Sequence, residues 1–149
     1  MEPQAHYYNL DLEWTETRKG KISSPQLNDE IEVATPPEFP GGIEGIWSPE
    51  HLFTASVVSC FMTSFTAVAE YSKLDFESLK CPAVGKMERI DKKFIMSEVV
   101  LKPELIIKNA KDEEKAMKLL HKAEEICLIT RSIKTEVKME AKIKITETV

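Results

Sequence analysis

From His51 through Ala69 the chain contains no Asp, Glu, Lys or Arg. A helix on a protein surface shows a polar face within that length, so an uncharged run of this size predicts a helix wrapped by protein on all sides. The run also has a start. Ser48 can cap, Pro49 suits a first helical position where no N–H is needed, and Glu50 sits at the positive helix end. The stretch Trp47–Leu74 therefore reads as one long helix around which the rest is organised. Its length raises the question of a membrane span, which needs about 20 mostly apolar residues. Thr54, Ser56, Ser59, Thr63, Ser64 and Thr66 favour a central helix of a soluble fold or dimer instead, because hydroxyls bond back to their own helix and small side chains permit close helix contact. Cys60 lies in its middle.

With 149 residues, 42% of them hydrophobic and 30% charged, the chain is long enough for one domain, 1–149, with a real core. A net charge of −5 and the lack of a basic stripe interleaved with aromatics argue against nucleic acid or an anionic membrane as partner. No apolar signal region follows MEPQAHYY, which predicts a cytoplasmic protein whose thiols are kept reduced unless they cycle. Cys60, Cys81 and Cys127 form no CxxC pair, and His6, His51 and His121 are scattered, so no metal site is expected.

In chain order, residues 5–15 alternate loosely and read as a strand, followed by a polar turn at 17–21 in which Gly20 permits reversal. Ile31–Ala34 is a short strand. The run TPPEFPGG at 35–42 is a loop, since its prolines lack donors. After the helix, 75–82 reads as a connection, and 83–90 and 94–107 as a hairpin divided by Asp91-Lys92-Lys93, with Pro103 at an edge or bulge. Residues 112–126 place Ala116, Leu119, Leu120, Ala123 and then Cys127 on one flank, an amphipathic helix. From Lys134 strict alternation puts Thr135, Val137, Met139, Ala141, Ile143 and Ile145 on one face of a last strand. The fold class is α+β, with mostly antiparallel sheet against the central buried helix.

A cysteine on an apolar helix is most often a small hydrophobe. To be reactive it must be a thiolate stabilised by a cation or a helix N-terminus. Cys60 is mid-helix, which predicts a side-chain cation. Of twenty basic residues only Arg18, Arg89 and Arg131 are arginines, the side chain best suited to a desolvated site. Arg18, on a turn, is either that partner or a solvated turn residue.

Ser48-Pro49-Glu50-His51-Leu52-Phe53, then Ala55 and Ser59-Cys60-Phe61, resembles the first cysteine motif of the OsmC/Ohr family. Ala123-Glu124-Glu125-Ile126-Cys127 with Ser132-Ile133 resembles the second, and Arg18-Lys19-Gly20 falls where that family carries its arginine turn. The resemblance covers essentially the whole chain. It implies an intertwined homodimer with swapped sheets flanking paired central helices, and a thiol peroxidase acting on organic hydroperoxides. It makes Cys60 the peroxidatic cysteine, Cys127 the resolving one, Arg18 the activating cation and Glu50 its carboxylate partner. It further implies a dithiol reductant, such as a lipoyl-linked one, and no metal or flavin cofactor. Leu128 is a departure, for the family often has Pro after the second cysteine. Pro36-Pro37-Glu38-Phe39 with Trp47 resembles an OsmC-like branch.

On an unbroken helix Glu50 lies roughly 15 Å from Cys60 along the axis, so a composite site is expected, Glu50 and Arg18 reaching the other chain's Cys60. Phe39, Phe53, Phe61, Met62 and Phe65 are either the lining of an apolar substrate pocket or core packing. Cys81 reads as a structural thiol. Two other readings stand beside the peroxidase: a redox-inactive module binding a small hydrophobic ligand, and a cysteine hydrolase with His51 or His121 as base, which lacks a partner for the histidine.

Overall fold

The computed structural model describes residues 4–146 and divides into two compact units, one ending at Leu52 and one beginning at Phe53. In the first, β1 (Asp11–Glu16), β2 (Lys19–Ser23) and β3 (Ile31–Ala34) form an antiparallel sheet in that order. The turn joining β1 and β2 is Thr17-Arg18, with the positive φ of 46° on Thr17. Gly20 is thus not the reversal point but lies inside β2, where the Glu13 carbonyl oxygen stands only 2.8 Å from the place a Cβ would take. Strand pairing, not turn chemistry, selects glycine there.

All of β1 is exposed, with Leu12 at 73% and Trp14 at 71%. This sheet has almost no core of its own. The loop that follows returns to it: Ala34 donates its N–H to the Trp47 carbonyl at 2.9 Å, and Val33 bridges to Trp47.

The long helix is α1 (Pro49–Tyr71), opened as the sequence predicts. Ser48, fully buried, accepts the His51 N–H on its Oγ at 3.1 Å, and its carbonyl accepts from Leu52 at 2.9 Å. Along α1, Val57, Phe61, Phe65 and Ala69 are buried at intervals of one turn. Within the single chain the helix is not wrapped on all sides, as its uncharged sequence predicts. Ser59, Met62, Thr63, Thr66 and Ala67 are exposed on another face. The hydroxyls on α1 turn inward to their own backbone: Thr63 donates to the Cys60 carbonyl and Thr66 to the Thr63 carbonyl, each at 3.0 Å.

In the second unit three chain segments each supply two strands. They are β4 (Phe76–Lys80) with β5 (Ala83–Ile90), β6 (Lys93–Leu101) with β7 (Glu104–Ile107), and β8 (Glu136–Met139) with β9 (Lys142–Ile145). The sheets are ordered β4-β7-β9 and β5-β6-β8. Each segment creases at a corresponding level, at Cys81-Pro82, Lys102-Pro103 and Glu140-Ala141. Hydrogen bonds stitch the crease: Lys102 N–H to Pro82 carbonyl, Glu140 N–H to Leu101 carbonyl, and Lys142 N–H to Pro103 carbonyl, at 2.8–2.9 Å. The connection expected at 75–82 is therefore strand β4, and the single tail strand is two, since Pro103 cannot donate and interrupts the neighbouring ladder. The tail pairs parallel with β6 and β7, giving a mixed sheet rather than a wholly antiparallel one. The β5–β6 hairpin is present, its turn residues Asp91 and Lys92 both at positive φ, which suits a two-residue reversal matched to strand twist.

A short 3-10 turn leads into α2 (Glu113–Ile126), which buries Ala116, Leu120 and Ala123. These join Val57, Phe61, Phe65, Val99, Leu101, Leu105 and Ile107 in one cluster between helices and sheet. Beyond Cys127 comes a five-residue helix, α3 (Leu128–Ser132). Phe61 and Phe65 are fully buried and lie 6.4 Å apart, and Phe65 meets Phe76 edge-on at 5.3 Å. Both belong to the core cluster of this unit. Truncating Phe65 to Ala is accordingly expected to cost about 3–5 kcal/mol in urea unfolding.

Candidate active site

The site is made where α1 passes the junction of α2 and α3. Residues 113–132 contain neither Gly nor Pro, yet the helix breaks at Cys127, whose ψ of 117° leaves the helical region. The break turns the amide groups of the next turn toward α1. Cys127 itself is buried at 1% exposure, while Cys60 is half-buried.

The two sulfurs meet there. Burial pushes the Cys60 thiol up, but hydrogen bonds donated by the Cys127 thiol, the N–H groups of Ile129 and Leu128 and the Ser64 hydroxyl outweigh it, leaving Cys60 below an ordinary cysteine. Cys127 moves the other way: burial raises it, and so does donating its proton to Cys60, against weaker lowering by the hydroxyl and N–H of Thr130. One proton shared by two sulfurs thus sits preferentially on Cys127. A mid-helix cysteine was expected to need a side-chain cation. Within the single chain the donors to Cys60 are thiol, hydroxyl and backbone groups, the backbone ones from α3, an element beyond the helix end expected at 126.

The other predicted residues fall as follows. Arg18 is exposed at the β1–β2 turn, its stem crossing Gly41, where φ is +79° and a Cβ would come within 3.0 Å of Arg18 Cγ. A cleft of about 230 Å³ beside it is walled by Leu12, Trp14, Gly20, Val33 and Pro49. Glu50 lies half-buried in the first turn of α1. Arg18 and Glu50 belong to the N-terminal unit, Cys60 and Cys127 to the other.

Among the expected pocket residues, Phe53 packs partly against the core, Met62 is exposed and Phe39 is half-buried in the 35–42 loop. His51 is tied to Ser48 Oγ through Nδ1 at 2.7 Å and meets Trp47 edge-on. Cys81, half-buried at the crease, is pushed up chiefly by burial and further by Glu104, with the Lys102 N–H opposing. Less of it is thiolate at neutral pH than for an ordinary cysteine.

A family model described as OsmC-like protein matches residues 42–142, which include both cysteines of the pair. The chain belongs to the OsmC-like family. Among its relatives, the uncharacterised protein YmaD of Bacillus subtilis (strain 168) is 27% identical over 147 residues, covering 94% of this chain and 96% of that one. An OsmC-like protein of unknown function from Vibrio cholerae superposes with a TM-score of 0.83 at 24% identity, covering 93% of this chain and all of the other. The organic hydroperoxide resistance protein OhrB of Bacillus subtilis superposes at 0.68 with 19% identity, covering 93% and 98%. These structures share the OsmC-like fold.

Thiolates alkylate and thiols do not, so the opposed shifts can be read chemically. Iodoacetamide labelling followed by mass spectrometry across pH is expected to modify Cys60 at lower pH than an unperturbed cysteine, with Cys81 and Cys127 reacting at higher pH. Replacing Cys127 with Ala removes a donor and is expected to move the Cys60 midpoint upward.

Proposed function

We propose that this protein is a thiol-dependent peroxidase that reduces organic hydroperoxides to alcohols. The observation that carries the reading is the contact between a lowered Cys60 and a raised Cys127. It makes one sulfur a nucleophile and keeps the other protonated until needed. The association of OsmC/Ohr relatives with hydroperoxide resistance supports it.

The Cys60 thiolate attacks the terminal peroxide oxygen. An S–O bond forms, the O–O bond breaks and the alkoxide leaves, taking a proton to become the alcohol. The resulting sulfenic acid is attacked by Cys127, forming the S–S bond and releasing water. A dithiol such as a lipoyl-linked one then restores both thiols. Ser64 and the Leu128 and Ile129 amides hold the sulfur during the first step.

Arg18 adds the cation that polarises the peroxide, Glu50 orients it, and both come from the other chain of a homodimer. The dimer is supported by what the single chain leaves uncovered: a small-residue and hydroxyl face on α1 and the apolar Tyr8, Leu12 and Trp14 of the N-terminal unit, each more than 70% exposed. A reducing cytoplasmic compartment suits a cycling thiol pair. The opposed shifts of the two sulfurs favour this cycle over a redox-inactive binding module, which needs neither.

Stopped-flow oxidation by cumene hydroperoxide is expected to outpace oxidation by hydrogen peroxide. Cys60→Ser abolishes consumption, and Cys127→Ser leaves a sulfenic acid that dimedone traps. An intact protein inert toward every organic hydroperoxide tried overturns the reading. Sedimentation is expected to give twice the chain mass, and Trp14→Lys to shift it toward one.

A further inference from the structure

Cys127 presents a difficulty when the disulfide must be reopened. Thiol exchange goes fastest when the sulfur with the lower thiol pKa leaves, which favours loss of Cys60. Access favours the opposite. Cys60 is half-buried on α1, whereas Cys127 is 1% exposed beneath the α2–α3 junction, so Cys60 is the more accessible sulfur and attack on it must expel the poorer, buried leaving group.

Thr130 is placed to relieve this. It sits in the first turn of α3, whose start is fixed by the Arg131 N–H bonding the Cys127 carbonyl at 3.1 Å. Its Oγ1 is buried and makes no hydrogen bond of ordinary geometry, although a threonine hydroxyl inside a helix usually bonds back to a carbonyl, as Ser132 does to Leu128 at 2.8 Å. The group against that hydroxyl is the Cys127 sulfur, which also faces the Thr130 N–H without forming a full capping bond. An orphaned buried hydroxyl costs free energy unless something calls on it.

We propose that Thr130 is a positioning residue for disulfide reduction, its buried hydroxyl and N–H receiving Cys127 as it departs as a thiolate. The step rests on the thiol cycle proposed above. A thiolate of the dithiol attacks Cys60 Sγ, forming a mixed disulfide. The Cys60–Cys127 bond breaks and its electron pair goes to the Cys127 sulfur, where Thr130 donates. The second thiol of the reductant then displaces Cys60 and leaves as a cyclic disulfide. The protein has gained the two electrons the dithiol lost, and the dithiol's protons are released to Cys127 and solvent.

The test is reduction of the disulfide by dithiothreitol after oxidation with diamide, which requires no hydroperoxide. Thr130→Val keeps the shape and removes the hydroxyl, and is expected to slow reduction about five- to ten-fold, while Thr130→Ser restores most of the rate. With a monothiol, the trapped mixed disulfide is expected on Cys60. Wild-type reduction rates in Thr130→Val, equal slowing in Thr130→Ser, or a mixed disulfide on Cys127 each overturn the proposal. A protein that cycles with diamide and dithiol but consumes no hydroperoxide overturns the peroxidase reading alone. Failure of diamide to form the disulfide overturns both.

Discussion

The contact between Cys60 and Cys127 depends on a helix that stops. Had α2 continued through Cys127, its amides would be spent on intrahelical bonds and none would face α1. Because the chain turns at Cys127 and restarts at Leu128, the first amides of α3 are unclaimed, and the Cys60 sulfur takes two of them. Burial alone raises both thiols. The asymmetry between them comes from which sulfur receives donors and which gives one up, and those roles follow from that break.

The creased strands support the two helices that carry the sulfurs. Each of the three segments bends at the same level, and the stitching bonds across Pro82, Leu101 and Pro103 hold the two halves of the sheet in register. Leu101, Leu105 and Ile107 on either side of the crease pack with Phe61 and Phe65 of α1 and with Leu120 and Ala123 of α2. That cluster fixes α1 and α2 against one support. The sulfurs, one on each helix, are brought together by apolar packing in which neither has a chemical role.

Much of this was legible in the residues. The Ser48 cap, the one-turn spacing on α2 and the alternation of the tail each follow from a local rule, and local rules survive folding. The motif resemblance singled out Cys60 and Cys127, whose sulfurs shift each other's proton affinity in the fold. The misses are all tertiary. The end of α2 agrees with the helix read over 112–126, but nothing in the composition of 127–132 marks a second helix, so α3 could not be seen. The tail alternates through its crease without a change of phase, because a bend between sheets preserves which face is inward. Phe61 and Phe65 are apolar whether they line a cavity or fill a core, so their sequence pattern leaves both uses open. Charge absence on α1 reads as burial inside a fold or dimer, and the single chain covers one face of it.

Leu128 is an ordinary exposed leucine by every measure of packing. Its significance is that it is not an imino acid. Many members of the family carry proline at this place, and a proline has no hydrogen on nitrogen to offer. This chain therefore solvates its sulfur anion partly with its own peptide group. The Leu128 amide is one of the donors that lower the Cys60 thiol from within its own subunit.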